Sequence, residues 1–133
     1  MYKITITKNE NPLLNEVIIT NNELKFKSSI FPNLGASLQK LKWNKINLID
    51  GISADNNGLE TYKNKYNSAI LFPFPNRIAK GTYTFNNANY NLEINETALN
   101  NSLHGFIFNK SFTVKETSAS KENAKIVFNY KYN

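Results

Sequence analysis

The sequence predicts an all-β protein of antiparallel strands, arranged as a β-sandwich. Three observations predict it. Apolar and polar side chains alternate with a period of two through most of the 133 residues. No segment carries a convincing apolar stripe of helical period. Eight of the 24 asparagines stand in pairs at likely turns, Asn21-Asn22, Asn56-Asn57, Asn86-Asn87 and Asn100-Asn101. Asparagine tolerates left-handed backbone angles, so in a chain with five glycines it serves at tight corners.

Element by element, Tyr2–Thr7 alternates with Tyr2, Ile4 and Ile6 on one face. Glu16–Thr20 and Leu24–Ile30 form a hairpin about Asn21-Asn22. Leu34–Trp43 follows a Pro-Asn-Leu-Gly corner, and Asn44-Lys45 turns it into Ile46–Ile49. Residues 50–67 read as a long loop, a length that marks function or mobility in a compact domain. Gly81-Thr-Tyr-Thr-Phe and Tyr90-Asn-Leu-Glu-Ile give the next hairpin, joined through Asn86-Asn87-Ala88-Asn89. A polar stretch, 95–102, precedes Leu103-His104-Gly105-Phe106. Ser111–Glu116 and Lys125–Tyr132 are the last strands, with 117–123 as a polar turn. The chain stops inside that aromatic-rich final strand, an edge ready for self-association or for pairing with a missing C-terminal portion. Residues 1–133 are therefore read as a single, partial β-sandwich domain.

Composition excludes several functions. With no cysteine there is neither a disulfide framework nor a thiolate site. No apolar run approaches the roughly 18 residues of a membrane span, so a membrane is not an expected partner. The opening Met1-Tyr-Lys-Ile-Thr-Ile-Thr lacks the apolar core of a signal peptide, which predicts a cytoplasmic protein. The formal net charge of +6 comes from lysines spread between Lys3 and Lys131. Base reading favours the arginine fork, and Arg77 is the only arginine, so nucleic acid is not an expected partner either.

The only arginine and the only histidine, His104, each stand at a strand boundary. Arg77 follows Phe72-Pro-Phe-Pro-Asn76, whose prolines hold the backbone extended. His104 precedes Gly105, which permits close approach of backbone or ligand. A fixed fork of donors and an imidazole that donates or accepts suit a polar pocket at one end of a sheet. Taken singly, the two residues read better as a surface cation and a hydrogen-bonded turn histidine than as a site.

The ordered segment says more. Phe-Pro-Asn76-Arg77-Ile-Ala-Lys-Gly-Thr-Tyr-Thr-Phe, then Tyr90-Asn-Leu-Glu-Ile-Asn, then Ser102-Leu-His-Gly resembles the aldose 1-epimerase (mutarotase) family across residues 72–106. Leu34-Gly-Ala-Ser-Leu38 resembles that family's early Gly-Ala-x-Leu strand. Phe106 stands where many members carry a second glycine. The resemblance implies a galactose-mutarotase-type β-sandwich of which this chain is an incomplete N-terminal portion. It also implies an isomerase that interconverts the α and β anomers of a free aldohexose, with neither metal nor organic cofactor. In such a reaction a base removes the proton of the anomeric hydroxyl while an acid protonates the ring oxygen. The ring opens, the aldehyde rotates, and closure gives the other anomer.

Carried over by motif, Asn76 and Arg77 bind sugar hydroxyls, and His104 holds the sugar near the ring oxygen and C1 hydroxyl, a supporting catalytic role. The family's acid histidine and base glutamate lie downstream, and neither Glu93 nor Glu96 matches that base. The resemblance therefore implies a chain with substrate-binding residues but without its acid–base pair. The alternative is a non-catalytic carbohydrate-binding β-sandwich, with Phe72, Phe74 and Phe106 as flat surfaces for a sugar ring. A third reading is an assembly domain that pairs through its last strand. Glycoside hydrolysis lacks a recognisable carboxylate pair.

Overall fold

The computed structural model describes residues 1–132. Most of the regular structure is antiparallel β, in separate open sheets. Where the sequence reads as one domain, the contacts separate two compact units: Met1–Ile70 together with the segment from Asn109 onward, and Leu71–Phe108.

The larger unit begins with a five-stranded meander in sequential order: β1 (Lys3–Thr7), β2 (Glu16–Asn21), β3 (Phe26–Phe31), β4 (Ser37–Trp43) and β5 (Ile46–Asp50). Each strand lies within two or three residues of its expected position. Burial does not follow the sequence alternation strand by strand: β1 and β5 are largely exposed, and the fully buried positions gather in β2, β3 and the start of β4. Val17 and Phe31 are fully buried, alongside Leu14, Leu34 and Ile52. Buried polar groups are bonded: the Ser29 hydroxyl donates to the Glu16 carboxylate. Fully buried Gln39 donates through Nε2 to Ser37 Oγ (2.9 Å) and the Asn67 carbonyl (2.8 Å), and its Oε1 accepts from the Ile52 amide (3.0 Å).

The expected loop over 50–67 is corrected by the structure, because it contains helix α1 (Asn56–Lys65). Its sequence is poor in strong helix formers and offers only Leu59 and Tyr62 as large buried side chains, too few to mark a stripe. Its ends are nevertheless well specified. Asp55 caps the N-terminus, accepting from the Gly58 amide at 2.7 Å, and this bond chiefly holds the Asp55 carboxyl below its ordinary value. Lys63 and Lys65 occupy the last turn, and Tyr66 closes it in left-handed conformation. No helix among the described residues is long and apolar enough to cross a membrane.

The smaller unit holds β6 (Arg77–Ala79), β7 (Thr82–Phe85), β8 (Ala88–Asn91) and β9 (Asn101–Leu103). The β7–β8 hairpin is tighter than expected, since its turn is Asn86-Asn87 alone, both left-handed (φ 49° and 61°). Tyr83 and Tyr90 face each other across it and stack at 5.0 Å. β6 pairs with β9, not with its chain neighbour, so a ribbon of two short strands forms across the intervening hairpin.

Returning to the larger unit, β10 (Thr113–Ala119) and β11 (Ala124–Asn129) form the last hairpin. β10 runs further into the expected 117–123 turn than its polar sequence suggests. β11 ends at Asn129, so the final strand is shorter than the expected 125–132.

Candidate functional site

The β6–β9 register sets the site. Arg77 pairs with Leu103, Ile78 with Ser102 and Ala79 with Asn101. One step beyond the first pair, Asn76 and His104 face each other. The His104 amide donates to the Asn76 carbonyl (2.8 Å), and the Asn76 amide donates to His104 Nδ1 (3.3 Å). Both residues are left-handed, at φ 64° and 66°, which bends the two chains out of the ladder at this end. Asn76, Arg77 and His104 thus lie together at one end of one ribbon, from segments far apart in sequence.

Two supports fix this end. Asn95 acts as a surrogate strand, donating from Nδ2 to the Leu103 carbonyl (2.9 Å) and accepting the Leu103 amide at Oδ1 (2.7 Å). Beyond His104, Gly105 lies in left-handed conformation (φ 72°) beside Phe72, and the Phe106 amide donates to the Phe72 carbonyl (2.7 Å). A Cβ at Gly105 would fall on that carbonyl. Phe74 and Phe106 meet edge to face at 5.6 Å, while Phe72 is largely exposed.

Sequence reasoning missed the partner of Arg77. Glu96 forms a two-pronged ion pair with it, accepting from Nε at 2.7 Å and from Nη2 at 2.6 Å, while Nη1 donates to Asn76 Oδ1 at 3.2 Å. Asn101 braces the carboxylate from β9 through its side-chain amide (2.7 Å), and its backbone exchanges hydrogen bonds with Glu96. The Glu96 carboxyl is pulled down to about 2, first by the Arg77 bond and then by the Asn101 bond. The available signal was the lone arginine itself, followed within 20 residues by two carboxylates, Glu93 and Glu96.

The electrostatics assign chemical characters. Burial lowers the His104 pKa below its ordinary 6.5, helped by the Arg77 charge and opposed by Glu96. The ring is therefore neutral at pH 7. Because Nδ1 accepts from Asn76, the ring proton resides on Nε2, which makes this imidazole a donor toward an oxygen. Glu96, fully ionised and held by three N–H groups, is a poor proton acceptor at neutral pH. The arrangement can hold hydroxyl and ring oxygens. It does not present a tuned acid beside a tuned base.

The sequence model of the family described as aldose 1-epimerase matches residues 16–133. The chain belongs to the aldose 1-epimerase family. Members of this family act on sugars. A solved structure, a galactose mutarotase-like protein from Clostridium acetobutylicum, is similar at 27% identity and a TM-score of 0.73. The match covers 95% of this chain and 37% of that one, so the chain spans little more than a third of the relative's length. The fold is accordingly galactose mutarotase-like, as the ordered motifs of residues 72–106 imply.

Proposed function

We propose that this family member serves the interconversion of α and β anomers of a free hexose, and that Asn76, Arg77 and His104 are its sugar-anchoring groups. The observation that carries this reading is the β6–β9 pairing, which sets the Asn76-Arg77 dipeptide against His104. In the proposed reaction a base takes the proton of the anomeric hydroxyl and an acid gives one to the ring oxygen. The C1–O bond to the ring breaks, the aldehyde turns, and reclosure sets the other configuration. His104, neutral and protonated on Nε2, steadies the oxygens at C1. Arg77 and Asn76 hold hydroxyls, and Phe72, Phe74 and Phe106 offer apolar surface to the ring. The acid and base come from the part of the family fold that this chain does not span.

The test uses two signals that need no assignment strategy, since Arg77 and His104 are the chain's only arginine and histidine. Galactose or glucose at millimolar concentration is expected to shift the Arg77 Nε–H and the His104 ring resonances saturably. Arg77→Ala weakens that binding by about tenfold or more, the scale of a charge-assisted hydrogen bond, and His104→Ala by about fivefold, the scale of a neutral one. Saturable binding elsewhere, with both signals unmoved, would reject the site.

A second reading, a carbohydrate-binding module without turnover, is favoured by one observation: Glu96 is committed to Arg77 and too acidic to act as a base. Polarimetry separates the two. The 133-residue chain is expected to leave mutarotation at its spontaneous rate, whereas a polypeptide spanning the full length of the family fold accelerates it. A full-length protein that binds hexose without accelerating mutarotation is a binding module.

A further inference from the structure

An arginine at the surface of a polar site ordinarily favours anions, because its fork matches phosphate and carboxylate. Here the edge of the fork formed by Nε and Nη2 is already engaged by a carboxylate of the same chain. Exposed ion pairs commonly contribute little, since two long side chains must be held in one geometry. This pair differs in construction. The Glu96 side chain is only 17% exposed while that of Arg77 is 48% exposed, so the carboxylate sits beneath a guanidinium that faces outward. Asn101 holds the carboxylate from behind with its side chain, and the bridge between Glu96 and Asn101 fixes the backbone on which Glu96 stands. The short helical turn Thr97–Leu99 and left-handed Asn100 return the chain to make that bridge. Asn100 in turn accepts the Lys80 amide beyond the end of β6, tying the loop to the strand that carries Arg77.

We infer that Glu96 is a positioning and specificity-determining residue, which fixes the Arg77 guanidinium and offsets its charge so that the site admits uncharged sugars and disfavours phosphorylated or carboxylated ones. The inference rests on the reading of Asn76, Arg77 and His104 as a sugar site. Its logic is Coulombic. A hydroxyl needs only an N–H dipole and is indifferent to net charge. A phosphate approaching Arg77 meets the Glu96 carboxylate a few ångströms behind it, and because the interaction falls off as the inverse of distance, that repulsion offsets about half of the attraction. The depressed Glu96 pKa agrees, since the carboxylate stays ionised throughout the neutral range.

The experiment compares galactose with galactose 6-phosphate on the whole chain, as wild type, Glu96→Gln and Glu96→Asp, by the shifts of the Arg77 and His104 signals. Glu96→Gln removes the charge, and affinity for the phosphate relative to the neutral sugar is expected to rise about tenfold or more, the scale of one unscreened charge near a protein surface. Glu96→Asp keeps the charge and is expected to hold that ratio within about threefold of wild type. Independently of any sugar, the Arg77 Nε–H signal is expected to move and to exchange faster with water in Glu96→Gln. An Nε–H signal unchanged in position and exchange would overturn the positioning role. An unchanged phosphate-to-neutral ratio would overturn the selectivity. If the Nε–H signal responds to Glu96→Gln but neither sugar binds wild type or variant, the sugar-site reading fails, and the selectivity falls with it.

Discussion

Gly105 ties His104 to the Phe72 segment, and Gly105→Ala tests how that tie is made. Two costs follow from the geometry. Alanine at φ 72° incurs about 1–2 kcal/mol of left-handed strain. Its methyl would occupy the position of the Phe72 carbonyl, so the two segments must part and the 2.7 Å bond from the Phe106 amide is lost, about 1 kcal/mol more. The sum, about 2–3 kcal/mol, corresponds to roughly 30- to 150-fold faster local opening. Amide hydrogen exchange at Phe106 reads this directly. The Ile78 and Ala79 amides report on the ribbon itself and are expected to change much less, because the β6–β9 ladder keeps its own bonds. Phe106 exchange within twofold of wild type would refute the argument that close approach at Gly105 fixes this end of the site.

Other outcomes follow from the same geometry. The His104 ring should titrate below 6.5, and Arg77→Ala should raise its midpoint by removing a neighbouring positive charge; a midpoint above 6.5 in wild type contradicts the assigned burial. Because the unfolded chain then binds the proton more readily, this group's contribution to stability is complete above about pH 6.5 and declines as pH falls toward the folded midpoint. Gln39→Leu orphans the Ile52 amide and the Asn67 carbonyl in the larger unit, and should cost about 2 kcal/mol in urea unfolding despite the added apolar surface. An unshifted unfolding midpoint would show that those groups find other partners.

What could be read in advance depended on whether an element's signal was local. The five-stranded meander announces itself because each strand carries its alternation and each corner its turn residues. The 72–106 segment was legible for another reason, the order of its motifs. Helix α1 was hidden because a surface helix burying little beyond Leu59 and Tyr62 lacks amphipathic contrast. The Asp55 cap stands in the sequence, but with no apolar stripe after it a capping residue alone does not mark a helix. Glu96 was hidden more deeply. It meets Arg77 only after β6 skips the neighbouring hairpin to pair with β9, a non-local register that three-residue strands hardly advertise. Asn95, whose side chain completes the ladder at Leu103, is for the same reason indistinguishable in sequence from the other asparagines around it.

The left-handed corners have a consequence for engineering thermal tolerance. Lys25 and Lys80 adopt φ 48° and 56° with side chains that glycine lacks and the backbone does not want, so glycine at either position trades strain for chain entropy at little loss and some gain. At His104 the same exchange would suit the backbone equally well and would remove the imidazole. One conformational feature therefore sorts the molecule into corners where hardiness can be improved freely and a corner where a sturdier protein would be a blunter one.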